Sequence, residues 1–282
     1  AACSLGLAER RGGARYGLGQ LGAALVGNKA ALSLVAHQPM LYADLQDPIA
    51  LLRGETETGL AGYWPYSAAE QPAELTAEEV APYSALMAAS QPLVAQEVLD
   101  SYPIRRHRCL MDVGGGEGAF LQAAAARAPK LRLMLFDLPA VVERARARLA
   151  GQGLDKRTAF HAGDFLADPL PKGADVISLV RIIHDHDDAA ALALLRAARR
   201  ALPADGTLLI VEAMAGVEGV EPLSAYYGFY TLAMGRGAPR TVAELQRLAR
   251  KAGFGRFRLL RNPMPVVTSI LVARPDPEYH GP

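Results

Sequence analysis

Two cysteines in 282 residues, Cys3 and Cys109, are too few and too far apart for a disulfide framework or a cysteine-based metal site. A reducing, cytoplasmic setting is the expectation that follows. An excess of one charge is also missing: 30 Lys and Arg stand against 29 Asp and Glu, a formal net charge of +1. Without a basic surplus there is no general pull on a polyanion, so nucleic acid is not an expected partner. No apolar run approaches the roughly 18 residues of a membrane span, which leaves a globular protein that meets a membrane at most at its surface. The opening residues, Ala1-Ala2-Cys3-Ser4-Leu5, show neither an initiator Met nor a charged region leading into an apolar stretch. No signal peptide is read there, and the chain is expected to begin inside a longer protein. Internal repeats and low-complexity tracts do not stand out. What is there is 51% hydrophobic and 21% charged, close to the globular norm, and long enough for one large core or two smaller ones.

Three zones follow along the chain. Residues 1–26 are rich in Gly and Arg, and Ala14-Arg15-Tyr16-Gly17-Leu18 reads as a short strand beside a basic turn at Arg10-Arg11-Gly12-Gly13. Residues 27–104 read as helical. Ala30 to Val35 opens one segment, and Leu41, Leu45, Ile49 and Leu52 continue an apolar face at spacings of three and four. A second helix starts near Thr76, where Thr76-x-x-Glu79 is a capping box, and carries Tyr83, Met87, Pro92, Val94, Val98 and Leu99. From residue 105 to 282 short apolar strands alternate with Ala/Leu/Arg helices: Cys109–Val113, Leu131–Phe136, Thr158–His161, Ala174–Val180 and Thr207–Val211. That order predicts an α/β fold with a mostly parallel sheet covered on both faces. The last two strands, Arg256–Arg261 and Val266–Ala273, are separated only by Asn262-Pro263-Met264-Pro265. A parallel crossover needs a dozen or more residues, so these two are antiparallel neighbours.

Asp112-Val113-Gly114-Gly115-Gly116-Glu117-Gly118 follows the first strand of this zone and opens a helix. Glycines there let the backbone approach a ligand at the carboxyl ends of the strands. Taken alone the motif is ambiguous. Gly114-x-Gly116-x-x-Ala119 also satisfies a dinucleotide fingerprint, Asp137 suits any ribose diol, and a bare turn needs no ligand. Two features favour one reading: Gly163-Asp164-Phe165 after the third strand, a carboxylate and an aromatic face suited to an adenine, and the terminal antiparallel pair, which nicotinamide-binding sheets lack.

Together these residues resemble the class I S-adenosylmethionine (SAM) methyltransferases. The resemblance implies a Rossmann-like SAM sheet, with SAM as cofactor and S-adenosylhomocysteine as product. It places Asp112, Gly114 and Gly116 at the methionine part, Asp137 at the ribose and Asp164 with Phe165 at the adenine, with Leu138 and Arg181 completing the set. After the fourth strand comes Arg181-Ile182-Ile183-His184-Asp185-His186-Asp187-Asp188. Its polar side chains on one turn cannot all converge, and no distant His/Cys cluster joins them, so no metal is expected. Helix capping by Asp185 and Asp187 is the plain structural alternative. The run is similar to the His-Asp-Trp-x-Asp motif of the caffeate/acetylserotonin-type O-methyltransferases. That resemblance implies His184 as general base, His186 at the Trp position, and Glu212 orienting His184. A second orienting Glu of that family falls near Pro239, where this chain has no carboxylate.

Leu41 to Pro48, Tyr63-Trp64-Pro65-Tyr66, His184 to Asp188 and Tyr227 to Gly235 resemble the carotenoid branch of the same family. This implies a hydroxylated carotenoid, a tertiary alcohol, as acceptor, in a long apolar tunnel lined by Tyr83, Met87, Met214, Tyr227, Phe229, Tyr230 and Met234. It also implies an N-terminal winged-helix dimerisation region, of which residues 1–26 are the last part, a homodimer, and contact with the membrane that holds the substrate. Methylation of a phenolic or polyketide hydroxyl is the alternative on the same scaffold. A winged-helix regulator that senses SAM is the alternative from another class.

Overall fold

Runs such as Cys109–Val113 and Val176–Val180 are buried along their whole length, as parallel strands covered by helices on both faces must be. The computed structural model describes residues 1–69, 72–219, 221–264 and 268–279. Near the start, β1 (Ala8–Arg11) and β2 (Arg15–Leu18) form a separate antiparallel hairpin. Arg10 and Arg11 belong to its first strand, so the turn is confined to Gly12, Gly13 and Ala14 and is not basic as expected. The main sheet contains β3 (Cys109–Val113), β4 (Arg132–Asp137), β5 (Thr158–Ala162), β6 (Val176–Val180), β7 (Thr207–Glu212), β8 (Phe254–Leu260) and β9 (Ser269–Pro275). Their order is β5-β4-β3-β6-β7-β9-β8. The pairs from β5 through β7 are parallel, and β9 runs antiparallel between β7 and β8. The expected α/β class and antiparallel end are therefore found. The expected strand start at Val266 lies outside the described residues, as does Pro265.

Side chains alternate across this sheet with the strand period of two. Met111, Ile177, Leu179, Leu208 and Ile210 feed one core, while Leu110, Val176, Val180, Leu209 and Val211 feed the other. The chain leaves β3 toward β4 on one side and returns through β6 on the other. Their carboxyl ends therefore splay into a crevice, the place where open α/β sheets bind ligands.

The helix Ala77–Ser101 covers both core and crevice. Its capping box is present, with Thr76 and Glu79 bonded in both directions. Val94, Ala95, Val98 and Leu99 pack into the second core, and the preceding turns lean over the crevice. The long apolar face expected from Leu41 to Leu52 does not form one helix. The helix Lys29–Asp44 stops, and Pro48–Arg53 begins anew behind the Asp47 cap. Proline disfavours helix at the residue before it but suits a first turn, and so Leu41 is buried while Ile49 and Leu52 are exposed. Leu41, Leu51, Leu60 and Trp64 join Ala233 and Met234 in a small third core.

Asp175, just before β6, ties the amino ends of the sheet together. Its carboxylate accepts the backbone N–H groups of Arg108 (3.0 Å) and Cys109 (2.7 Å) and lies 3.0 Å from Nδ1 of His107. Tyr102 closes the group, its hydroxyl 2.7 Å from Nε2 of His107. Burial works against the Asp175 charge, but these donors prevail and hold its pKa below the ordinary 3.8. The stability it contributes is thus present above the unfolded pKa and is lost as pH falls through the folded one. Asp175→Ala should cost at least about 1.5 kcal/mol in urea unfolding at pH 7, with the deficit shrinking in acid. An unchanged midpoint at pH 7 would deny Asp175 this role.

Candidate active site

Three glycines of the loop after β3 have positive φ: Gly114 (65°), Gly116 (55°) and Gly118 (77°). A Cβ on Gly114 would lie 2.5 Å from Ile182 Cδ1 and one on Gly118 2.8 Å from Leu149 Cδ1, whereas one on Gly116 would meet nothing within 4 Å. The first and third glycines let the loop pack, and the middle one faces open space. Asp137, ending β4, accepts the N–H of Gly116 and that of Leu138, each at 2.8 Å. Burial raises its pKa to about 6 against these bonds. A carboxylate so placed still has free lone pairs and gains from further donors, as a ribose diol would provide.

A cleft lies over this loop. It is walled by Gly114–Glu117, Asp137, Leu138, Asp164, Phe165 and Arg181, and roofed by Trp64, Tyr66, Tyr83 and Met87, with roughly 1180 Å3 of empty space counted out into solvent. The expected cofactor residues thus converge, except one. Asp112 is 1% exposed and does not line the cleft; it sits in register with Ser178, whose hydroxyl donates to it at 2.6 Å. Burial raises its pKa to about 7 despite that bond. Asp112 props the glycine loop from behind, its Oδ2 lying 2.8 Å from where a Cβ on Gly115 would stand. The glycine loop, the Asp137 carboxyl and the aromatic wall fit SAM.

His184 lies elsewhere. It opens onto a second cavity with Leu34, His37, Gln38, Tyr227 and Tyr230. Trp64, Tyr83, Met87 and Arg181 border both cavities, so the two spaces meet at these four side chains. Nδ1 of His184 lies 3.1 Å from Glu212 Oε2, and Nε2 lies 3.0 Å from Asp185 Oδ1. Neither contact is aligned as a hydrogen bond to the ring. Glu212, 2% exposed, also accepts the Ile183 N–H at 2.6 Å. Burial disfavours the imidazolium, but the Asp185 and Glu212 carboxylates outweigh it and raise its pKa well above 6.5. Asp185, a helix cap on the plain structural alternative, is instead a partner of the ring. Asp187 is the cap, accepting the Ala190 N–H at 2.8 Å.

His186 faces the cofactor cleft, edge-on to Phe165 at 5.4 Å between ring centres, and burial lowers its pKa. Arg181 has a left-handed backbone, φ 58°, unusual for a long side chain. Its buried guanidinium donates to Ser90 Oγ (2.9 Å), the Met87 carbonyl (3.2 Å) and Gln91 Oε1. Of the expected lining residues, Tyr83 and Met87 border both cavities, Tyr227 and Tyr230 border the second, and Met234 borders the cofactor cleft. Met214 and Phe229 border neither: Met214 is 4% exposed in the main core, and Phe229 packs on the small one. The second cavity is also less apolar than expected. His37 Nε2 lies 2.7 Å from the Tyr230 hydroxyl, and the Tyr226 hydroxyl donates to Gln38 at 3.0 Å. Among the described residues no group of three or more His, Cys, Asp or Glu could hold a metal ion, and no helix is long and apolar enough to cross a membrane.

Comparison with known proteins gives this geometry its context. Residues 42–255 match the O-methyltransferase domain family. The chain is 43% identical over 277 residues to demethylspheroidene O-methyltransferase of Cereibacter sphaeroides, covering 96% of this chain and 71% of that protein. Identity to the enzyme of the same name from Rhodobacter capsulatus is 42% over 268 residues, covering 92% and 65%. The crystal structure of human N-acetylserotonin methyltransferase in complex with SAM shares the fold, with a TM-score of 0.76 over 98% of this chain and 81% of that one, at 23% identity. The chain belongs to the SAM-dependent O-methyltransferases.

Proposed function

We propose that this protein methylates a hydroxyl of a hydroxylated carotenoid, with His184 as proton acceptor. The observation that carries the reading is the meeting of two cavities at Trp64, Tyr83, Met87 and Arg181, with the glycine loop on one side and His184 on the other. When bound, SAM supplies an activated methyl group. The chain's task is to hold it, align an acceptor oxygen and remove one proton. The backbone of Gly114 and Gly116 would hold the methionine part, with Arg181 at the boundary. Asp137 and the Leu138 backbone would hold the ribose, and Asp164 and Phe165 the adenine. An alkanol is a far weaker acid than imidazolium, so His184 takes its proton as the new C–O bond forms; such general-base help is worth about 10²–10⁴-fold. The acceptor hydroxyl would replace Asp185 at Nε2 while Glu212 faces Nδ1 and stabilises the imidazolium that forms.

The carotenoid acceptor rests on the two demethylspheroidene O-methyltransferases. Homodimerisation and contact with a substrate-bearing membrane belong to the same proposal. In support, most of the exposed large apolar side chains among the described residues fall within residues 5–52, Leu18, Leu21, Val26 and Val35 among them. The hairpin of β1 and β2 supports reading residues 1–26 as the end of a winged-helix region. A phenolic acceptor is the second reading, favoured by the tyrosine and histidine tips in the second cavity.

The acceptor is decided by mass spectrometry of products from a panel of hydroxylated carotenoids and phenols. Methylated carotenoid is expected; efficient turnover of catechols with carotenoids ignored would transfer the assignment to the second reading.

Asp137→Ala should weaken SAM binding by at least about 1.5 kcal/mol. Because the carboxylate is the form that accepts the diol, affinity of the unaltered protein should also fall as pH drops through about 6. Calorimetry showing neither effect would remove Asp137 from the ribose site.

For the proton, His184→Gln should keep SAM binding and lose at least about 10²-fold in kcat. His186→Gln should lose much less, and Glu212→Gln an intermediate amount. Since a base must be neutral, kcat should rise with pH along a limb lying above 6.5, and Asp185→Asn should move that limb to lower pH. Normal turnover by His184→Gln, or a larger loss in His186→Gln, would overturn the assignment.

A further inference from the structure

The loop where the family's second orienting carboxylate would fall contains Pro239 and then Arg240, and Arg240 is 7% exposed. Its guanidinium makes three bonds to the turn that carries His184. Nη1 donates to the Ile183 carbonyl at 2.9 Å, Nη2 to the His186 carbonyl at 2.7 Å, and Nε to Asp188 Oδ1 at 2.9 Å. Its own carbonyl accepts the Ala215 N–H at 2.9 Å, and Thr241 bridges to Ala215, three residues beyond Glu212. Gly237, three residues earlier, lies flush on the same turn. Its φ is 78°, and a Cβ there would stand 2.0 Å from the His184 carbonyl oxygen.

We infer that Arg240 is a positioning residue for methyl transfer, clamping the backbone on both sides of His184 and tying it to the segment that follows Glu212. The inference rests on the reading of His184 as proton acceptor. Its physical basis is that Asp185, one of the two carboxylates paired with the imidazole, rides on the same short turn, Ile183–Asp185, so that of the two only Glu212 ties the ring to another segment. The ring's place is therefore set largely by its backbone. Such a turn ends with carbonyls open to further donors; that of Ile183 accepts one backbone donor, the His186 N–H, at 3.2 Å. A planar guanidinium can serve two of them and a carboxylate at once, and the point charge of a lysine cannot.

The test uses the full chain with SAM bound. Arg240→Lys should bind SAM and acceptor within about threefold of the unaltered protein while kcat falls at least about tenfold, since a displacement near 1 Å costs up to roughly 10²-fold. A merely structural role would lower the folded fraction and leave kcat per folded site unchanged. The NMR titration of the His184 ring supplies a readout that needs no turnover. Asp185 and Glu212 pair with the ring, His186 lies beside it, and Arg181, Tyr83, Tyr226, Tyr227, Tyr230 and His37 share its cavity. A ring drifting away from the two carboxylates should titrate at lower pH in Arg240→Lys. If Arg240→Lys does not fold, Gly237→Ala decides, with the same loss of kcat and the same shift expected. A folded Arg240→Lys, or in its place Gly237→Ala, with unchanged kcat and ring titration overturns the inference. Normal turnover by His184→Gln would instead overturn the reading beneath it.

Discussion

Glu212 is an ionisable side chain with 2% of its surface in water, and a carboxylate so placed must be satisfied by the protein around it. One oxygen accepts the Ile183 N–H at 2.6 Å and the other faces His184 Nδ1 at 3.1 Å. Both partners come from the turn after β6, and Glu212 ends β7, the parallel neighbour. Pairing of these two strands fixes the distance between the carboxylate and the turn. Arg240 then holds the turn's carbonyls from a third segment. The candidate base is thus set by sheet register, one buried acid and one buried cation acting on the backbone.

The cofactor cleft depends on the same sheet at its point of reversal. β3 pairs with β4 on one side and β6 on the other, so Gly114 and Ile182 meet across the crevice, where a Cβ at residue 114 would force the Ile182 side chain to shift. Asp112 and Ser178, facing each other across the same strand pair, support the loop from below. Arg181 joins the two halves. Its left-handed backbone turns the guanidinium away from the sheet toward Ser90, Gln91 and the Met87 carbonyl of the covering helix. That strained residue stands between the cleft and the second cavity, where strain is characteristically retained for function.

Much of this was legible in the residues. The inner strands β3, β6 and β7 declared themselves because buried parallel strands need continuous apolar runs. The capping box at Thr76 and the Gly114 loop declared themselves because few residue types satisfy their backbone geometry. His184 and Glu212 were paired by resemblance to the family motif, and the adjacent parallel strands bring them within 3.1 Å. Other features left no local mark. Asp185 and Asp187 both read as helix caps in sequence, yet only Asp187 caps, and Asp185 faces the imidazole. Met214 and Phe229 have the same apolar character as Met87 and Tyr227, but packing turns them into cores.

The α/β class, the antiparallel end of the sheet, the glycine loop and the chemistry available after β6 follow from the residues, because each depends on neighbours within a few residues or on strand periodicity. Which charges meet follows from packing. His184 acquired its second carboxylate, Arg181 its neutral partners 90 and more residues away, and the His184 turn its grip by Arg240, through contacts between segments distant in the chain. Those contacts are set by how helices and loops pack over the sheet, and no spacing along the chain encodes that packing.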